Sequence, residues 1–215
     1  MVKATVDPRP VSAATSVFIN EIHYDNASTD AGEAIEIAGP AGTDLTGWSI
    51  VLYNGSGGAS YDTDMLSGTI PNQQNGFGTV VVNYPVNGIQ NGAPDGIALV
   101  NASNQVVQFL SYEGSFTAVG GPADGMTSTN IGVLQDGGDP VGHSLQLSGT
   151  GTVYEDFTWN AAAANTFGAV NTGQTFSNVV QCTTPVIFIN EIHYDNASTD
   201  AGEAIEIAGP AGTDL

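Results

Sequence analysis

The chain has 215 residues with 22 carboxylates against two cations, Lys3 and Arg9, for a formal net charge of −20. From Pro10 onward it contains no Lys or Arg, which excludes the phosphate neutralisation that nucleic-acid binding rests on and disfavours anionic membrane surfaces. No apolar run approaches the roughly 20 residues of a membrane-spanning helix, so no membrane insertion is expected, while 41% hydrophobic residues suffice for a core.

Residues 1–15 read as an N-terminal linker that lacks the apolar stretch of a secretory signal. Beyond them, short runs rich in Val, Ile, Tyr and Phe alternate with Gly, Asn, Asp and Pro clusters. No segment holds a 3.6-residue apolar stripe between helix caps, so the chain reads as all-β. Strands are expected, in order, over residues 17–24, 33–38, 47–53, 78–83, 96–101, 105–112 and 143–147, with weaker ones near 131–134 and 154–159. Their number and spacing fit an immunoglobulin-like β-sandwich. Side-chain alternation puts Trp48, Ile50 and Leu52 on one face, and likewise Ile35 with Ile37, Ile97 with Leu99, and Val106 with Leu110. Residues 101–105 make a hairpin connection, and 54–60 and 72–76 are flexible loops. The domain is expected to span 16–176, followed by a linker at 177–185 whose lone Cys182 has no internal disulfide partner and is either a free thiol or pairs between molecules or modules.

The segment FINEIHYDNASTDAGEAIEIAGPAGTDL at 18–45 recurs without a substitution at 188–215, offset by 170. A fixed period reads as a tandem array, here one complete repeat plus a truncated second repeat at 186–215. Chains below about 40 residues rarely fold unaided, so the second copy is expected to be disordered or to borrow a partner. Residues Ile187, Phe188, Ile189, Asn190, Glu191, Ile192, His193 and Tyr194 duplicate the first strand and form the expected assembly segment. They would add as a strand to another copy or to an adjacent repeat, and such head-to-tail exchange makes open chains unless the rotation closes.

Asp25, Asn26, Asp30 and Glu33 crowd oxygen-bearing side chains onto the glycine-containing loop YDNASTDAGE. A hard cation such as Ca²⁺ takes six to eight oxygen ligands, so this loop is the candidate calcium site, with Asp62 and Asp64 completing it or forming another. The alternative is that these residues only shape a turn and flank a strand. Glu21, Glu33 and Glu36 fall within strand patterns. Without Lys or Arg, a buried carboxylate there must find backbone donors, protonate or bind a cation. Catalytic patterns are weak: His143 and Ser144 in GHSLQ lack the second glycine of a nucleophile elbow, and His23 and His193 have no further zinc ligands at suitable spacing. Tyr53, Tyr61 and Tyr84 offer a carbohydrate-binding face if exposed, or core and cross-strand partners if buried. The tripeptides beginning at Asn26, Asn54 and Asn101 satisfy the glycosylation acceptor rule. No enzymatic role is expected.

The segments INEIHYDN (19–26), GEAIEI (32–37), DLTGWSIVLYNG (44–55), NGAPDGIALVN (91–101) and GHSLQL (142–147) together resemble the lamin tail domain in its bacterial form. The likeness covers about 17–176 and again 187–215. It implies an immunoglobulin-like sandwich with Trp48 in the core, in a secreted or cell-surface setting, as a noncatalytic attachment or interaction module. The partner it implies is a tethered hydrolase domain, while the duplication points to other copies or adjacent repeats and the aromatic residues to surface glycans. No catalytic residues transfer from the resemblance.

Overall fold

The computed structural model describes residues 15–177, 188–194 and 202–208. The chain divides into two units, 1–178 and 179–215. Residues 1–14, most of the expected linker at 177–185, and Ile187 lie outside the described residues.

The first unit is all-β. One sheet runs in the order β10 (Phe157–Ala164), β9 (His143–Gly151), β1 (Phe18–His23), β2 (Ala34–Pro40), β5 (Phe77–Asn83), with β11 (Gln174–Phe176) pairing parallel to β9. The other runs β4 (Ser60–Met65), β3 (Ser49–Asn54), β6 (Asp95–Val100), β7 (Val106–Tyr112), β8 (Thr129–Asn130). A single cluster of buried side chains draws on both sheets, Phe18, Ile19, Ile35 and Leu145 from the first and Ile50, Leu52, Leu99 and Leu110 from the second, which makes the unit a sandwich. The Tyr24 and Tyr112 rings stack across it with centroids 3.8 Å apart, and Ile19 N donates to Gln108 Oε1 at 2.7 Å.

Both sheets are also covered on their outer faces. Over the second sheet, Val51, Tyr53, Ala98, Val100 and Phe109 form a smaller cluster with Ala118 and Ala123 of the loop after β7, and Phe116 packs against it. Gly96 permits this cover, because a Cβ there would stand 2.8 Å from the Phe116 ring and 2.9 Å from the Leu110 carbonyl oxygen. Over the first sheet the covering segment is the stretch between β10 and β11, where Thr166, Gly168 and Asn171 donate to Glu21, Glu36 and the Asn20 carbonyl and Val170 packs against the core. Every residue of β1 is therefore buried, and the strand cannot show the half-exposed alternation of a two-layer sandwich.

Several expectations change in physical detail. Val106 and Leu110 do not share a face: a bulge pairs Leu99 with Gln108 but Val100 with Val106, and the extra residue reverses the alternation. Trp48 is half-buried at the edge of the core rather than within it. Residues 131–134 form no strand. The turn at 154–156 is a short 3₁₀ segment ahead of β10. β4 and β11 went unanticipated, since an edge strand reading SYDTDM has little apolar signal and β11 has three residues.

The described part of the second unit is one hairpin, β12 (Phe188–His193) with β13 (Ala204–Ala208). It reproduces the pairing of β1 with β2 residue for residue, including the bulge: Ile19↔Ile37 then Glu21↔Glu36 in the first copy, Ile189↔Ile207 then Glu191↔Glu206 in the second. The environments are opposite. Tyr24, Ile35 and Ile37 are 0% exposed, whereas Tyr194, Ile205 and Ile207 are 77%, 63% and 51% exposed.

Burial fixes the cost of truncation in the first unit. Leu99→Ala, in the core, is expected to cost about 2–5 kcal/mol, and Leu134→Ala, half exposed, less than about 0.5 kcal/mol. Denaturant unfolding measures both.

Candidate functional site

The β1–β2 hairpin is where charge and packing meet. Glu21 and Glu36, both fully buried, stand directly opposite each other across the two strands, an unfavourable placement for like charges. Each is held by donors from distant segments. Glu21 Oε1 accepts from Ser144 Oγ at 2.5 Å and from Thr166 N at 2.8 Å, and its Oε2 accepts from Thr166 Oγ1 at 2.9 Å. Glu36 accepts from Asn20 Nδ2 at 2.9 Å and from Gly168 N at 2.7 Å. Asn171 Nδ2 donates to the Asn20 and Leu147 carbonyls, and Gln174 Nε2 to Asn20 Oδ1. Together these bonds tie the segment after β10 over the outer face of β1 and β2.

Glu33, just before β2, fastens a second loop: its two oxygens accept from Gly88 N at 2.8 Å and Ile89 N at 3.0 Å. The three strand-pattern carboxylates thus find donors in backbone amides, hydroxyls and side-chain amides. Burial still dominates. It pushes the Glu21 and Glu33 carboxyls above the ordinary value, and Glu36, with Glu21 opposite, up to about 7.

The expected calcium loop is internally bonded. Asn26 Oδ1 accepts from Ala31 N, and its Nδ2 donates to the Ala27 and Thr29 carbonyls. Asp30 accepts from Asn26 N and from Asn91 Nδ2. Asp25, which is half-buried, faces Asp30 and Glu113; desolvation first, then these carboxylates, raise it to about 6. Asp25, Asn26, Asp30 and Glu33 thus lie on one loop, with Asp25 against Asp30 and Asn91 and the Glu33 oxygens turned to the 88–89 backbone. Asp62 and Asp64 sit on the edge strand β4; Asp62 accepts from Thr63 N, and Asp64 abuts the buried Tyr84 hydroxyl. Among the described residues no group of three or more His, Cys, Asp or Glu is arranged to hold a metal ion.

Other candidate residues take structural places. The Ser144 hydroxyl is spent on Glu21. His23 is buried, with Nδ1 3.1 Å from Gln135 Oε1 and Nε2 3.2 Å from both Asn26 Oδ1 and the Ala31 carbonyl. Tyr53 and Tyr84 are buried and Tyr61 is half-buried, its hydroxyl accepting from Gln90 N at 2.8 Å. Half-buried Trp48 instead lines a groove with Thr43, Asn101, Val106 and Val107.

In the second copy Asn190 again bonds Glu206, as Asn20 bonds Glu36. Glu191, Glu203 and Glu206 are exposed there. The acids that pin loops in the first unit thus recur exposed among the described residues of the second. Sequence reasoning missed the donors, Thr166, Gly168, Asn171 and Gln174. Their signal was indirect: a chain rich in Asn, Gln and Thr and poor in cations has only such groups to satisfy buried acids.

Comparison with known protein families, curated proteins and solved structures finds no match to this chain.

Two outcomes follow for the first unit. The folded state raises Glu36 from 4.5 to about 7, so the folded form holds that proton more tightly than the unfolded form does. Its contribution is complete below about pH 4.5 and is lost as pH rises through about 7, an effect of roughly 3 kcal/mol. Asp25, Glu21 and Glu33 shift in the same direction, so unfolding free energy should be larger at pH 5 than at pH 8. Thr166→Val, which deletes one Glu21 partner, is expected to cost about 1–3 kcal/mol at pH 7.

Proposed function

We propose that this chain is a noncatalytic structural repeat of the extracellular or cell-surface kind, which links modules or self-assembles through its duplicated hairpin. The observation that carries this reading is the contrast between the copies. β12–β13 holds the register, bulge and Asn–Glu contact of β1–β2, yet exposes the Ile and Tyr side chains that the first copy buries completely. A two-stranded hairpin alone is marginal in water, and each Ile returned to a core is worth about 1.5–3 kcal/mol. The partner that fits is therefore a β1–β2 slot in another copy, or the remaining strands of an adjacent repeat. The lamin-tail-like segments support the same class of role, and the deficit of cations suits a salty or calcium-containing exterior, where self-repulsion is screened.

Size-exclusion chromatography with light scattering tests the assembly. The full chain should form dimers or longer species at tens of micromolar, and a chain lacking residues 186–215 should be monomeric. Monomers for both would remove the proposal.

Calcium belongs to this reading through Asp25 and Asp30, whose mutual repulsion a divalent ion would relieve. Millimolar Ca²⁺ should raise the thermal midpoint above an ionic-strength-matched sodium control, and EDTA should reverse the rise; equal midpoints would strike calcium from the account.

A further inference from the structure

The duplication places two overlapping sets of strands in one chain. Residues 18–176 contain β1 to β11. Residues 46–215 contain β3 to β11 followed by a second, identical copy of everything from Phe18 to Leu45. That second set is the same sandwich with its first hairpin moved from the front of the chain to the back.

Whether the rear hairpin can reach the front hairpin's slot depends on where the first unit begins and ends. Its first described residue, Thr15, is held through N and Oγ1, which both donate to Glu155, and through its carbonyl, which accepts from Tyr154 N at 3.0 Å. Its end is fixed at Ser177, whose N donates to the Gly151 carbonyl at 3.1 Å. Rings confirm the proximity: Phe157 lies 5.7 Å from Phe18 near the start and 5.7 Å from Phe176 near the end. Both ends thus meet on residues 151–157. The ten residues between Ser177 and Phe188 can extend up to about 33 Å, more than this separation demands.

The side chains that the slot requires are the same in either copy. All the side chains it buries from β1 and β2, and Leu45 beyond them, are identical in the second copy, as are Glu21, Glu33 and Glu36, which pin the loops at 88–89 and 166–168. The flanks differ conservatively next to the strand, Val17 against Ile187. Exchange would therefore replace the buried contacts of residues 18–45 by the same contacts, with Ile187 in place of the buried Val17, and leave the released copy exposed.

We infer that the β1–β2 slot is a binding site for the chain's own β12–β13 hairpin, so that one polypeptide folds in either of two frames, presenting a free hairpin at its front or at its back. This rests on the assembly reading's premise that β12–β13 fits the slot, and goes beyond it by placing the acceptor in the same chain. A free hairpin at either end would let a copy join neighbours in both directions.

The test uses the full chain and three variants: Ile35→Asp, Ile205→Asp, and both together. Ile35→Asp puts a carboxylate into the fully buried centre of the first hairpin. The expected result is that it still unfolds cooperatively, with a midpoint within about 5 °C of the unsubstituted chain, a shift equivalent to roughly 1–2 kcal/mol. It should do so as a monomer by light scattering at low micromolar concentration. Ile205→Asp should behave like the unsubstituted chain, and the double variant should lose the transition. If Ile35→Asp folds only as a dimer or larger species, the cis frame is overturned while assembly between chains stands. If Ile35→Asp loses the transition as the double variant does, neither hairpin exchange occurs. If the double variant keeps the transition, the slot tolerates the substitution, and the premise of a demanding hairpin site fails.

Discussion

The structure depends on the satisfaction of buried carboxylates without cations. Glu21, Glu33 and Glu36 sit on or beside the central β1–β2 hairpin, and no Lys or Arg exists beyond residue 9 to neutralise them. An isolated buried charge is costly unless paired and hydrogen-bonded. Here the pairing comes from backbone amides of loops far away in sequence, aided by Ser144, Thr166 and Asn20. The same bonds that stabilise the acids decide where the loops at 88–89 and 166–168 lie, and the latter loop turns the outer face of the first sheet into a second, polar interior.

That arrangement explains why the hairpin is central. β1 lies between β9 and β2, and β2 lies between β1 and β5, so removing the pair would divide the first sheet and release both pinned loops. It also explains why the second copy has the right local structure and the wrong surroundings. The bulge and register belong to the 28-residue segment itself and recur wherever it occurs. Burial of its isoleucines and acids depends on β5, β9 and the two loops, which the second unit's described residues do not supply.

Much of this was legible in the residues. Alternation and turn composition gave the all-β class and most strands, because Val, Ile and Tyr runs bounded by Gly and Asn carry their own signal. Reasoning from charge gave the choice facing Glu21, Glu33 and Glu36: all three find donors, and burial raises all three carboxyls as well, Glu36 up to about 7. What stayed hidden were effects of tertiary origin. The bulge that separates Val106 from Leu110 is a pairing event, not a composition. The edge strand β4 is held by β3 rather than by apolar content. The donors at Thr166 and Gly168 lie more than 130 residues from the acids they serve, a separation no local pattern encodes.

The direct test of carboxylate pinning is site-resolved amide hydrogen exchange at Thr166, Gly168 and Ile89, whose N–H groups donate to Glu21, Glu36 and Glu33. If the acids hold the loops, these amides exchange as slowly as those in the centre of β9 and only with opening of the hairpin. Exchange at the rate of unprotected surface loops would show that the carboxylates do not organise the fold.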